Sequence, residues 1–500
     1  MENSTSTTSD REEQVRFHVS CQYLKDPNAA HQVRLSSKET FNSFTWTLLS
    51  ETEIVPNNLN PHFQSSFLVD FIFEANQFLK FEVVQHHFNG SSEILGSYEA
   101  TVGMIMGAWD QTIMSDIQGQ GQIIVKGEKV KTGNQLIFWQ WVGVKLKSMR
   151  GCFGKNEPML KFFKKEADGD YVQVHKTEAV QGNPIWKPFK ILDSVLCSKN
   201  HSQSFKVECW DQKGNKEVQL IGQLETNLEK IIQSGAKNYM MYNPKKKSTT
   251  GVLEIHDFSI GPKRTFLDHI IGGTQLDLTV AIDFTSSNEN PSLHYQSMDP
   301  PNQYYRALEL LCPKILNYDS GQLVSLYGFG AGLPEGQASD CYPLVGDEEV
   351  QVKGTQGVLD AYLEHLNNVK FGGGARDFLP VIQKMSEKGQ RIKETGDNKY
   401  MILLLLTSGD MPNMDRTIHQ IRNVSELPLS IIIVQVGKAG MGNFIYLTLV
   451  VKNSRRDMFQ YVPFGLYQND QDSLAKYALK DIPNQVADHN ERKGRKAMGF

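Results

Sequence analysis

No stretch of this sequence stays apolar for the roughly 20 residues that a membrane-spanning helix needs, so any membrane contact has to be peripheral. The leading segment MENSTSTTSDREEQ is polar and lacks the apolar core of a signal peptide. Cysteine is sparse. Cys21, Cys152, Cys197, Cys209, Cys312 and Cys341 are scattered, with no CxxC and no metal-ligand spacing, the pattern of reduced thiols in a cytosolic protein. A positive excess is missing too: the formal net charge of −4 argues against a generally nucleic-acid-binding surface and leaves room for local basic patches. There is no P-loop, HExxH, G-x-S-x-G or kinase motif set. GFGAG, Gly328 to Gly332, follows a strand, but Pro334 and Gly336 deny it the immediate helix that would hold a pyrophosphate.

What is present divides the chain. After a disordered lead (1–14), residues 15–137 alternate short strands with turn clusters, as a β-sandwich does; VRFHVSC, SSFLVDFIF and FLKFEVV are the clearest strands. Residues 138–262 repeat the order with WVGVKLKSM, MLKFFKK, FKVECWD and GVLEIHDF. From 263 to 467 strands alternate with helical stretches at Asn302–Leu316, Gly357–Val369, Phe378–Gly389 and Asp415–Ser425, which predicts a doubly wound α/β domain with a parallel sheet. A polar, basic tail, 468–500, closes the chain. Within the α/β region, the apolar run Leu278 to Ile282 ends in Asp283-Phe284-Thr285-Ser286-Ser287. Ligands bind beyond the carboxyl ends of such strands. An Asp and hydroxyls spaced by two offer hard oxygens there, which suit Mg²⁺.

FLDHIIGGTQLDLTVAIDFTSSN, Phe266 to Asn288, resembles the opening of the A domain of copines. SLHY (Ser292 to Tyr295), YGFGAGLP (Tyr327 to Pro334), GTQGVLDAY (Gly354 to Tyr362), LLLLT (Leu403 to Thr407), LPLSIIIVQVG (Leu427 to Gly437) and RDMFQYVPF (Arg456 to Phe464) resemble further copine blocks. NLNPHF (Asn58 to Phe63) and GNPIWKPF (Gly182 to Phe189) resemble a turn typical of C2 domains. The resemblance covers most of the chain. It implies two all-β C2 sandwiches followed by a von Willebrand A-like, Rossmann-type domain. It also implies Ca²⁺-dependent binding to anionic phospholipid, and a metal-ion-dependent adhesion site of Asp283, Thr285 and Ser287 that takes Mg²⁺ or Mn²⁺.

The residues depart from that pattern. In the first repeat, Asp26 stands in a shortened loop, and Gln85 and His87 stand where copines carry carboxylates, leaving Glu93 as one further oxygen donor. Ca²⁺ takes six to eight oxygens and binds more tightly as carboxylates are added, so this repeat should not hold it. The His86-His87 pair is either a softer metal site or simply solvated. In the second repeat, Glu157 and Asp211 remain, with Lys213 and Gln219 at other acidic positions. Any Ca²⁺ dependence rests on those two carboxylates and is weakened. Lys161, Lys164 and Lys165, and the run Lys245, Lys246, Lys247, are candidates for lipid contact without Ca²⁺, or else ordinary solvated faces.

In the A domain, Arg376 stands at the expected Thr and Ser408 at the expected Asp, and both changes oppose Mg²⁺ or Mn²⁺. Three arrangements satisfy the sequence. Asp410 or Asp377 compensates and a weak metal site survives; Arg376 pairs with Asp283 in place of the metal; or Arg376 reaches solvent. GGGAR, Gly372 to Arg376, opens a helix and offers a phosphate cradle as a minor alternative. The expectation is a non-enzymatic, cytoplasmic adaptor on the inner face of the plasma membrane or another membrane. It binds anionic phospholipid through its C2 domains and a protein partner through its A domain, and no nucleic acid. The alternative is a soluble interaction scaffold that has lost lipid and metal binding.

Overall fold

The computed structural model describes the chain except residues 1–12, 40–42, 132, 151–155, 183, 214–215, 236, 286–291, 298–299, 333–337, 340, 347–349, 372–376, 410–412, 438–441, 452–455, 468 and 498–500. The side chains of 213, 216–218, 332, 338–339 and 495–497 are also left out. The chain forms two compact units: Met1–Val130 with Arg264–Phe500, and Lys131–Lys263.

In the first unit, residues to 130 form a sandwich of two antiparallel sheets. One orders His62–Phe71, Glu13–Gln22, Gln122–Lys129 and Thr112–Asp116; the other orders Thr47–Glu51, Ala30–Lys38, Phe78–His86 and Ser92–Thr101. Strand side chains alternate between faces, and Val15, Phe17, Val19 and Cys21 duly point into the core against Phe67 and Phe81. The second unit repeats the architecture. Tyr171–Lys176, Pro158–Lys165, Phe205–Lys213 and Lys216–Thr226 form one layer. Asn238–Asn243, Ser248–Pro262, Gln135–Val144 and Phe189–Leu192 form the other, and here the two layers are halves of one continuous eight-stranded sheet joined at the Gln223–Tyr242 pair. Trp139, Trp141 and Trp186 are fully buried there.

The α/β domain carries five parallel strands in the order Leu323–Phe329, Gln275–Asp283, Lys399–Thr407, Leu429–Gln435 and Phe459–Pro463. Gln275–Asp283 and Lys399–Thr407 are buried along nearly their whole length, as strands covered on both faces must be, which explains their unbroken apolar runs. The helices form at Gln303–Leu316, Gly354–Leu366, Leu379–Thr395 and Met414–Asn423, close to the stretches read as helical.

Three organisational expectations need correction. The break between sandwiches does not fall at 137/138, which lies inside the strand Gln135–Val144; the units divide after Val130. Residues 468–500 are not merely a tail. They carry the helices Gln471–Leu479 and Ile482–Ala497, and Leu474, Leu479, Ile482 and Val486 are buried in the core. Their apolar residues are few, but they fall on one helical face, which average polarity conceals. Finally, the first sandwich is not separate from the α/β domain. Phe266 packs edge-on against Phe73 (4.9 Å between ring centres) and Tyr318 (5.0 Å) and lies parallel to Phe71 (6.3 Å). Beside this cluster, Lys129 Nζ donates to Asp268 Oδ2 (2.5 Å) and Thr265 Oγ1 (2.6 Å). Gly107 passes so near the Asn317 carbonyl that a Cβ would stand 1.8 Å from its oxygen, so only glycine fits.

Candidate functional site

The loop end of the second sandwich holds the most ordered charge arrangement. Pro158 pairs with Asp211 across two strands, which brings Glu157 and Asp211 together. Between them stands Arg150. Its Nε donates to Asp211 Oδ2 at 2.7 Å and its Nη2 to Oδ1 at 3.0 Å, while Nη1 lies 3.5 Å from Glu157 Oε1. Glu157 N–H donates to Asp211 Oδ1 at 2.7 Å, and Arg150 also reaches the Gln212 carbonyl. Asp211 is only 1% exposed. A forked, charge-assisted pair of this kind is among the strongest polar contacts a protein makes. The donor set does not fit Ca²⁺: Asp211 has both oxygens engaged, and a fixed positive charge stands between the carboxylates. Sequence reading missed Arg150 because it carried the strand WVGVKLKSM to residue 149. The strand ends at Val144, and Lys145 turns with φ 50°.

The same end is basic. Lys145, Lys147, Lys245, Lys246 and Lys247 are all exposed, and the Lys147 N–H bond to the Thr250 carbonyl (2.8 Å) ties the two segments together. The other lysine candidates do not make one patch. Successive strand residues face opposite ways, so Lys161 and Lys165 share a face and Lys164 lies on the other. Lys161 sits over the Trp210 ring (5.1 Å), Lys164 lies 3.2 Å from Glu166, and Lys165 lies 4.0 Å from Glu225.

At the loop end of the first sandwich, Gln85 Nε2 (3.3 Å) and His87 Nε2 (3.2 Å) both bond Glu93 Oε1, and Asp26 Oδ1 accepts the Asn28 N–H. The residues at the departed acidic positions thus consume the carboxylate that remains. His86 turns away to bond Gln32 (3.2 Å), so the adjacent histidines do not converge on a metal. Beyond them, Phe88 is 88% exposed in the turn after Phe78–His86.

In the α/β domain, Asp283 ends its strand fully buried. Oδ1 accepts the Thr285 N–H (3.0 Å); Oδ2 accepts from Thr407 Oγ1 (2.8 Å), Ser408 N–H (3.1 Å) and Ser408 Oγ (3.4 Å). Gly330, at φ 77°, passes against Thr285, whose Cγ2 a Cβ would meet at 2.3 Å. Ser287, Arg376, Asp410 and the Gly372 to Arg376 segment lie outside the described residues. Behind the loop, His294 from the SLHY block donates from Nε2 to the Asp283 carbonyl (2.9 Å) and accepts at Nδ1 from Tyr362 OH (2.8 Å). Burial pushes its pKa down to about 4, so it stays neutral and fills both roles. The described donors around Asp283 include no second carboxylate, and no cluster of three or more His, Cys, Asp or Glu side chains able to hold a metal occurs among the described residues. That set does not fit a tight Mg²⁺ or Mn²⁺ site, which needs carboxylate oxygens free to face the ion.

No helix among the described residues is long and apolar enough to cross a membrane. Residues 292–497 match the copine family profile, and residues 19–113 and 135–243 match that of the C2 domain. Nicotinic receptor-associated protein 1 of Caenorhabditis elegans is 32% identical over 91% of this chain and 82% of its own length. Among solved structures, BON1-C2B is 24% identical, covers 26% of this chain and 92% of its own, and has a TM-score of 0.22. Manganese-loaded Plasmodium vivax TRAP protein is 13% identical, covers 39% and 70%, and has a TM-score of 0.28.

Proposed function

The chain belongs to the copine family, whose members are generally non-enzymatic adaptors built on C2 and von Willebrand A-like domains, and on that premise we propose that it is a peripheral membrane adaptor whose docking does not depend on Ca²⁺. The observation that carries this reading is the Arg150–Asp211 fork, which supplies from within the chain the positive charge that Ca²⁺ would bring. Lys145, Lys147 and Lys245 to Lys247 then face anionic phospholipid directly. Each basic side chain near such a surface contributes about 1 kcal/mol, screened by salt. Phe88 adds an apolar anchor from the first sandwich. The A domain offers a protein partner its face around Asp283, Thr285 and Ser287, with no catalytic step. A membrane protein is the partner class that the nematode relative's name favours. The site of action is the cytoplasmic side of a membrane.

Flotation of the full chain with vesicles tests this. Binding to phosphatidylserine-containing vesicles but not to pure phosphatidylcholine, weakened by the triple change Lys245→Glu, Lys246→Glu and Lys247→Glu, supports the reading. No flotation on either vesicle moves the chain to the class of soluble scaffolds.

A further inference from the structure

At the end of the α/β sheet opposite Asp283, a cavity of about 360 Å³ opens beside the amino ends of Lys399–Thr407 and Leu429–Gln435 and the helix Ile482–Ala497. Its size is that of a small-molecule site. Its walls carry five cationic side chains, Lys393, Lys399, Arg456, Arg492 and Lys493, against the carboxylates of Asp397 and Glu426. Arg492 is held by Asp488 (2.7 Å), and Lys399 reaches Asp277 at 4.0 Å. Lys393 and Lys493 form no ion pair among the described residues.

Arg456 is the unusual member. It is 3% exposed, and its guanidinium donates only to neutral oxygens: the carbonyls of Ser425 (3.2 Å), Leu427 (3.0 Å), Leu429 (2.6 Å) and Gln485 (3.2 Å) and the Tyr400 hydroxyl (2.6 Å). Its hydrogen bonds are satisfied while its charge has no carboxylate beside it among the described residues. A buried charge of that kind leaves a standing positive field, which an anion would relieve. Asn490, also in the wall, has a buried Nδ2 amide with no acceptor among the described residues. Ile392 and Pro428 supply apolar wall.

We propose that this cavity binds a small phosphorylated anion, seated between Lys393 and Lys493 over Arg456 and accepting from Asn490. The chemistry is that of a phosphate ester on a compact polar body, whether a free sugar or inositol phosphate or the headgroup of a phosphoinositide. This site is independent of the membrane docking proposed above and lies in a different domain from the lysines that docking uses.

The test is calorimetric titration of the full chain with soluble inositol trisphosphate, with sodium sulfate as the ionic control. The wild type is expected to saturate, sulfate to give no saturation, and the double variant Lys393→Glu, Lys493→Glu to lose at least tenfold in affinity. Both lysines are exposed, so the variant keeps the fold, and an unchanged melting temperature checks that. The triple Lys245, Lys246, Lys247 to Glu variant should titrate as the wild type does. A second arm adds phosphatidylcholine vesicles containing phosphatidylinositol phosphate to that triple variant. Pelleting that inositol trisphosphate competes away identifies the lipid headgroup as source; saturation without pelleting identifies a soluble anion. No saturation by the wild type, or equal saturation by the double variant, overturns the proposal.

Discussion

Arg150 lays its guanidinium along both carboxylate oxygens of Asp211, at 2.7 and 3.0 Å, at the loop end of the second sandwich. The chain has in effect a covalently attached cation at the end of its second sandwich. Arg150→Ala should therefore expose a latent site: Asp211 and Glu157 lose their partner, the melting temperature of the second sandwich falls, and millimolar Ca²⁺ restores part of it. The wild type should show no such Ca²⁺ shift. Calorimetry with and without Ca²⁺ on both proteins checks this.

The exposed ring of Phe88 has no structural duty in the first sandwich. Phe88→Ala should leave the melting temperature unchanged and weaken vesicle binding by about tenfold to a hundredfold, with the salt dependence retained because the lysines remain. An aromatic buried at an interface contributes about 1.5–3 kcal/mol, which bounds the loss. Equal binding by the variant would place the anchor elsewhere.

The first sandwich and the α/β domain share one aromatic cluster, so they should unfold together. Phe266→Ala opens a cavity in that cluster and should cost about 3–5 kcal/mol. Gly107→Ala, which drives a Cβ against the Asn317 carbonyl, should shift the same transition. Scanning calorimetry should show both changes in the shared transition while that of the second sandwich stays put.

Two histidines, His294 buried and His489 half-buried, set an acid limit. His294 has its pKa lowered by burial from 6.5 to about 4, and His489 to about 3 by burial, with Arg456, Lys493 and Arg492 adding to the shift and Asp488 opposing it. In the unfolded chain both take a proton first as pH falls. Their neutral forms therefore support the fold fully above the unfolded value of 6.5, and that support is lost as pH drops towards 4 for His294 and 3 for His489. For His294 the loss amounts to roughly 3 kcal/mol. His294→Gln, which keeps a donor and an acceptor, should flatten the stability slope between those values, measured by urea unfolding across pH.

Around Asp283, the described oxygens are already taken by protein donors. A Mn²⁺ titration of the full chain followed by paramagnetic relaxation should give no tight site. Submicromolar binding would mean that the residues outside the described set supply the missing ligands.

Much of this was legible in the sequence. The continuous apolar runs at Leu278 to Ile282 and Leu403 to Thr407 read as covered strands, and the loop after Asp283 followed from where such a strand ends. The departed positions Gln85, His87 and Ser408 were visible residue by residue, and each now bonds the carboxylate it stands beside. What stayed hidden depended on distance along the chain. Arg150 meets Asp211 across 61 positions, and Lys147 meets the strand after Lys247 only through backbone pairing. The union of the first sandwich with the α/β domain rests on Phe71, Phe73, Phe266 and Tyr318, each of which reads locally as ordinary core. Periodicity gives the inward face of an element, but not which other element covers it.

The most direct measurement is co-sedimentation of the full chain with phosphatidylserine vesicles, in millimolar Ca²⁺ and in chelator, each at low and high salt. The account predicts equal pelleting with Ca²⁺ and with chelator, lost at high salt. Pelleting only in Ca²⁺ would contradict it, and would mean that Arg150 yields its place to the ion.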